Sequence, residues 1–357
     1  MDKENQNHSV QAVRDHGRGR AAAVTITVCI SVFLVLLCIS IGSVSISLRD
    51  MLSILYGVVS GKGVPDSVPV QTVSIFWNIR MPRVLTAFLV GGALSVSGAI
   101  MQAVLQNPLA SSYTLGVSSG ASLGAAIVIA FQLTIPFLGQ FTLPAFGFIM
   151  GLGTVLIVLA LSSAVDRNLH TQTVILIGMV ISLFVNAMMT LVSTFAQEHA
   201  QQLLIWTMGS FNAKRWYHVK ILFSVSAAGL ILTMLFTRAL DVMSFGDEQA
   251  YSIGVNVKRD KKILLVLAAL MTGVSVCFTG TIGFIDLVTP HAVRKIFGAR
   301  HCLVIPMSFV LGGAFMAVCD MVSRTVAAPV EIPVGAVTAL IGAPFFVILF
   351  LRGRKQG

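Results

Sequence analysis

Charge is what this sequence has least of. Only 11% of its 357 residues are Asp, Glu, Lys or Arg, against about 25% in an ordinary soluble domain, while 56% are hydrophobic. Together with a mean hydropathy of +0.89, this excludes a water-soluble globular protein. Ten-residue segments of alternating polarity, the signature of an outer-membrane barrel, are missing as well. Cysteine is also scarce. Cys29, Cys38, Cys277, Cys302 and Cys319 lie inside or at the end of apolar runs without a C-x-x-C pair, and read as small apolar side chains at helix interfaces.

Chemistry-bearing motifs are absent in the same way. The seven histidines show no metal-ligand spacing such as H-E-x-x-H, and no G-x-x-x-x-G-K-[ST] phosphate loop occurs. If this chain works with ATP, another chain must hydrolyse it. Gly116-Val117-Ser118-Ser119-Gly120 matches the G-x-S-x-G nucleophile elbow in letters only, because it opens an apolar helix rather than a strand-to-helix turn. Neither an enzyme, a resident cofactor nor a metal site is expected.

What the chain does have is apolar runs of about 20 residues, each enough to cross a hydrocarbon core. Residues 1–20 are polar, of mixed charge and without periodicity, and are expected to be a disordered cytoplasmic tail. The run from Ala21 to Ile41 has the length of a full span and no A-x-A cleavage pattern follows it, so it reads as an uncleaved first helix. Further spans are expected near 83–105, 114–132, 143–165, 172–195, 218–237, 263–280, 282–297, 303–322 and 333–351. The eighth is the weakest, interrupted by Asp286, Pro290 and His291. The expected fold is an all-α polytopic membrane protein of about ten helices, with a transmembrane domain over 21–352 and a cytoplasmic tail over 353–357.

The net charge of +10 follows topology rather than nucleic acid. With the N-terminus inside, 16 of the 24 Lys and Arg residues fall on the inner side and eight on the outer side, among them Lys62. Both termini are therefore expected in the cytoplasm. Glycine is patterned: Gly116, Gly120 and Gly124 recur every fourth residue, Gly91, Gly92 and Gly98 mark the second span, and Gly147 and Gly151 the fourth. Such rows let helix backbones approach closely in lipid.

Four stretches carry a resemblance. They are Arg80-Met81-Pro82-Arg83 with Gly91-Gly92-Ala93-Leu94, Gly98 and Gln102; Asn107-Pro108-Leu109-Ala110 with Leu115-Gly116-Val117 and Gly120-Ala121; Gly280-Thr281-Ile282-Gly283-Phe284 with Pro290-His291 and Arg294; and Gly312-Gly313-Ala314, Asp320, Arg324, Pro333-Val334-Gly335 and Gly342-Ala343-Pro344-Phe345. In order and spacing, from about residue 25 to 352, the chain resembles the FecCD-type permease subunits of ATP-driven importers for iron–siderophore complexes, haem and cobalamin. The resemblance implies a type II importer permease bundle in a bacterial inner or plasma membrane. It implies pairing with a second copy or a paralogue, two cytoplasmic ATPase subunits and an extracytoplasmic substrate-binding protein. One departure stands out: the family usually has a small uncharged residue where Asp286 stands. An ion-coupled secondary transporter is the alternative, with Asp286 and Asp320 as its only intramembrane acids.

The resemblance also places sites. Segment 238–262 is expected to couple to the ATPase, with Ser244 capping a helix that begins near Phe245, Glu248 in its first turn and Gly254 ending it. Phe245, Gly246, Ala250, Tyr251 and Ile253 complete that surface. Arg80, Arg83 and Arg324 defy the inside preference for positive charge. They are expected to dock carboxylates of the binding protein, with Pro82 favouring a helix start beside the first two. Asp320, four residues before Arg324, is a helical partner for it. Ser182, Asn186 and Met189 on the fifth span, and Asp286 on the eighth, are candidate walls of the substrate path. Asp286 has a second reading as a group hydrogen-bonded at a broken-helix junction.

Overall fold

The computed structural model describes residues 2–42, 46–61 and 68–354. Lys62 and the last three residues of the expected C-terminal tail lie outside the described residues. Among those described the protein is all-helical, as its composition requires.

Helix α1 (Asp2–Ser40) carries the first span back through 2–20, where disorder was expected. No proline interrupts the stretch, and once the apolar span is helical each added residue gains a hydrogen bond without the cost of nucleation. Helix α2 (Leu48–Ser60) was not anticipated. Ser47 caps it: its Oγ accepts the Asp50 N–H at 3.1 Å and donates to Asp50 Oδ2 at 2.7 Å. Met51 and Ile54, three residues apart, bury fully against Cys38, Phe76 and Val84.

Helix α3 (Val70–Ser74), a π-helical turn (Ile75–Arg80) and α4 (Met81–Val104) form one rod of 35 residues. Pro82 therefore does not start a helix. It lacks an N–H and its ring crowds the preceding turn. The π-turn widens that turn, and the Met81 N–H reaches back to Phe76 O.

A 3₁₀ turn (Ser112–Leu115) leads into α5 (Val117–Ala130), followed by α6 (Thr142–Val165), α7 (Thr171–Phe195), α8 (Ala200–Thr207) and α9 (Trp216–Leu235). Two short helices, α10 (Thr237–Met243) and α11 (Asp247–Ser252), precede α12 (Val257–Thr279), α13 (Ile285–Phe297), α14 (His301–Thr325) and α15 (Val334–Arg354). All ten expected runs are helical. Seven helices among the described residues are long and apolar enough to span a membrane alone, and α5 and α13 fall short of that measure. At 14 and 13 residues, α5 and α13 reach only about 20 Å each. Each follows an irregular stretch, and before α13 Phe284 sits at φ +72°.

The centre of the bundle is α4, packed by α14, α12, α13 and α9. It meets α14 backbone to backbone: a Cβ on Gly91 would overlap the Gly312 carbonyl oxygen, and one on Gly312 would overlap Ser95. The glycine rows of α5 and α6 face each other in the same way, Gly120 against Met150 O and the Cα of Gly151.

Two faces result. One holds the end of α1, the α4 arginines and the end of α14, and is called the arginine face below. The opposite one, the loop face, gathers the connections after α4, α6, α9 and α13.

Candidate functional site

On the loop face, α11 is a rigid projection. Asp247, its first residue, places Oδ2 2.6 Å from Lys261 Nζ at the base of α12 and accepts Gln106 Nε2 at 2.8 Å. Lys261 is 1% exposed and also donates to Leu169 O at 3.4 Å. The ion pair therefore bolts the projection to the bundle. Its C-terminus is a Schellman turn: Gly254, at φ +86°, donates to Tyr251 O, and the Val255 N–H reaches Ala250 O.

Two details differ from the sequence expectation. The helix starts at Asp247 from an N-cap at Gly246, φ +124°, and Ser244 Oγ instead donates to Leu240 O at 2.8 Å. The extended backbone that an N-cap needs is available at the glycine, whereas Ser244 closes the end of α10 in helical conformation. Ala250 is fully buried and packs inward. Phe245, Tyr251 and Ile253 remain outward, 76%, 46% and 71% exposed, with Glu248 exposed beside them. Large apolar side chains left in water on a clamped projection mark a contact surface.

Lys261 was read from the sequence only as an inner-side charge. The signal for its real position was its place on the apolar stripe Val257, Leu264, Leu265 and Ala268, all fully buried.

Asp286 lies where α13 meets the turn before α5. Its Oδ2 accepts from Ser111 Oγ in a short hydrogen bond and from the Ser112 N–H at 3.2 Å. Its own carbonyl accepts Gln102 Nε2 at 3.2 Å. Tyr113 Oη donates to Ile282 O at 2.6 Å and accepts the Ile282 N–H at 3.3 Å. These bonds tie two interrupted helices together at membrane depth. Asp286 is 1% exposed, so in this conformation it touches no open passage.

On α7, Ser182 is half-buried and bonded to Gly178 O, Met189 packs toward Ala126, Ile129 and Leu203, and Asn186 is exposed. Only 17% of the apolar window of α7 is covered by the rest of the chain.

The arginine face brings Arg80, Arg83 and Arg324 together, but buries them. Arg83 Nε donates to Asp320 at 2.9 and 3.2 Å, while its Nη1 and Nη2 donate to Glu331 at 2.7 and 3.2 Å. Arg324 lies 3.5 Å from Asp320 and bonds Cys38 O, and Arg80 donates to Ile39 O and Ser40 O at 3.1 and 2.6 Å. Cys38, Ile39 and Ser40 are the last turn of α1, whose carbonyls have no helical partner, so two guanidinium groups satisfy them and the helix dipole. The three arginines, with Asn212 and Glu331, line a cavity of about 460 Å³. Glu331 was not singled out from the sequence. It stands 248 residues from Arg83, with no local pattern joining the two.

The FecCD transport family model matches residues 30–352. The chain belongs to that family. It is 39% identical over 285 residues to the hemin transport system permease protein HmuU of Yersinia pestis, covering 79% of this chain and 84% of that protein. It is 35% identical over 306 residues to the cobalamin import system permease protein BtuC of Halobacterium salinarum, covering 85% and 79%. Among solved structures, a metal-chelate type ABC transporter in an inward-facing conformation superposes with a TM-score of 0.78 at 28% identity, over 92% of this chain and 97% of that one. This FecCD member is thus the membrane permease of an ABC importer, working with other components of such a transporter. The ion-coupled carrier is left without support.

Proposed function

We propose that this permease moves an iron chelate, a siderophore complex or haem, or a cobalamin, into the cytoplasm of a bacterium. Two ATPase subunits cover the loop face and an extracytoplasmic binding protein feeds the arginine face. The observation that carries this reading is the clamped projection α11. A part that transmits force from a separate motor must be stiff at its root and adhesive at its tip. The Asp247–Lys261 pair, anchored on a buried lysine, supplies the first and Phe245, Tyr251 and Ile253 the second.

The loop face then lies inside, as the distribution of basic residues favours, and with it both termini. The second permease subunit, a copy or a paralogue, packs against the uncovered side of α7, where Asn186 sits among exposed aliphatic side chains. The route between the two subunits runs along this helix, past Ser182, Asn186 and Met189. The haemin and cobalamin relatives support a large, flat, metal-bearing cargo.

Uptake of labelled iron–siderophore, haem and cobalamin by a strain deleted for the gene, with and without its return, tests the substrate class. Recovery of none of the three overturns it. For the coupling role, Gly254→Trp is decisive. A side chain at φ +86° costs about 1–2 kcal/mol and would project into space that is open around this glycine. The variant is expected to insert normally yet uncouple ATP hydrolysis from uptake. Wild-type uptake at wild-type level would remove α11 from the mechanism.

A further inference from the structure

The loop face holds a cavity of about 490 Å³ that none of these roles uses, lined by Gln102, Asp241, Phe245, Arg294, Arg300 and His301 among others. Its charges do not cancel. Asp241 is already engaged, because its Oδ1 accepts both the His301 N–H and His301 Nδ1 at 2.7 Å. Arg294, in the last turn of α13, and Arg300, just before α14, donate to no side chain or carbonyl among the described residues. In the same wall two buried polar atoms have no partner: Gln102 Oε1 and His301 Nε2, on residues 5% and 3% exposed.

Two guanidinium groups with no partner among the described residues, lining one cavity beside an engaged carboxylate, describe a site for an anion. Gln102 Oε1 and His301 Nε2, whose ring gives its Nδ1–H to Asp241, are acceptors and take no part in holding one. Guanidinium favours a planar oxyanion that it can grip through two hydrogen bonds. The position of Phe245 names the class of ligand. This side chain lines the cavity and is also part of the exposed apolar tip beside α11. Whatever covers the tip therefore reaches the cavity mouth.

We propose that the cavity is a second anchor for the ATPase subunit, receiving an Asp or Glu side chain that stands next to the apolar cleft occupied by Phe245. The inference rests on the coupling role of α11. It adds that the contact is bipartite, an apolar knob giving adhesion and a cationic socket giving register. A lever held at two points transmits a rotation that a single pivot does not.

The test measures binding of the purified ATPase to the full-length permease in lipid nanodiscs across a salt series. Arg294→Glu with Arg300→Glu is expected to weaken binding at least about tenfold at low salt, with the difference shrinking as salt rises. Reversing the acidic ATPase residue found by cross-linking from Arg300→Cys should restore part of the loss. Arg300→Ala alone changes an exposed side chain and guards against misfolding of the double variant; it should weaken binding severalfold. Phe245→Ala and Gly254→Trp probe the coupling role separately. If they weaken binding and the arginine variants do not, the socket is refuted and the coupling surface stands. If none of the variants has an effect, both ideas fall. Inorganic phosphate that binds wild-type permease but not the double variant, with ATPase affinity unchanged in that variant, would make the cavity a free-anion site and overturn the proposal.

Discussion

Lys261 shows how one residue can serve two physical purposes. Its charge counts toward the set expected on the inner side, yet its ammonium group is buried 2.6 Å from Asp247. Removing one partner of a buried pair leaves the other uncompensated, at a cost of about 3–5 kcal/mol, and the low end applies because Asp247 is partly exposed. Asp247→Asn should therefore lower the melting temperature of the detergent-purified protein, and Asp247→Asn with Lys261→Met should recover much of the loss. Asp286 makes a parallel case at the broken-helix junction. Asp286→Asn keeps an oxygen for Ser111 and Ser112 and should be tolerated. Asp286→Ala strands the buried Ser112 N–H, costing about 1–3 kcal/mol, and takes from the half-buried Ser111 hydroxyl the acceptor to which it donates. Equal thermal stability of the two variants would refute the junction role. Asp286 as an oddity was legible in the sequence; its partners, 174 and 175 residues away, were not.

At the scale of elements, glycine decides which helices can meet. The contact between α4 and α14 works because Gly91 and Gly312 present bare backbone to each other. Gly91→Leu should abolish a monodisperse product, since the clash is with a carbonyl oxygen and not with a flexible side chain. Gly153→Ala on α6 is the control. No atom lies within 4 Å of its added Cβ, and a helix-interior alanine should raise stability by up to about 1 kcal/mol. A melting temperature that falls in the control and holds in Gly91→Leu would contradict the packing. Most helices were readable from runs of apolar residues, and the row of small residues on α5 did face the row on α6. The α2 cap was readable in principle from Ser47-x-x-Asp50, but α2 is amphipathic rather than continuously apolar, so a search for spans passes over it. Pro82 misleads for a different reason. Whether a proline begins a helix or bends one depends on the turn before it, and here a π-turn absorbs the strain.

For the whole molecule, the arginine face carries a structural load that complicates its use in docking. Arg83 neutralises Asp320, which is completely buried, so Arg83→Gln should destabilise the permease by about 3–5 kcal/mol before any partner is considered. Arg80 and Arg324 carry structure too, since they hold the last-turn carbonyls of α1 and Arg324 lies 3.5 Å from the buried Asp320, so a test of docking has to keep those bonds. Under the proposed docking role, Arg80→Lys with Arg324→Lys, which keeps a cationic donor at each place but loses the planar fork, should lower binding-protein affinity at low salt while the protein stays monodisperse. Unchanged affinity would free the arginine cavity from that role. Glu331 is already seated on Arg83, so under the proposed docking role an incoming carboxylate would have to displace it.

By itself the sequence determined the solvent of this protein, its approximate number of passages and its family. These follow from composition and from patterns local to about 20 residues, because a hydrocarbon core acts on each segment separately. Only the tertiary structure decided which charges stay free. Arg83 and Lys261 look like surface cations in the sequence and are buried in ion pairs, whereas Arg294 and Arg300 look the same and face an open cavity. Charge is assigned along the chain, but its partners lie across the fold, at separations of 237 residues for Arg83 and Asp320. A Coulomb interaction depends on distance in space and on the medium between the groups, and neither exists until the helices have packed.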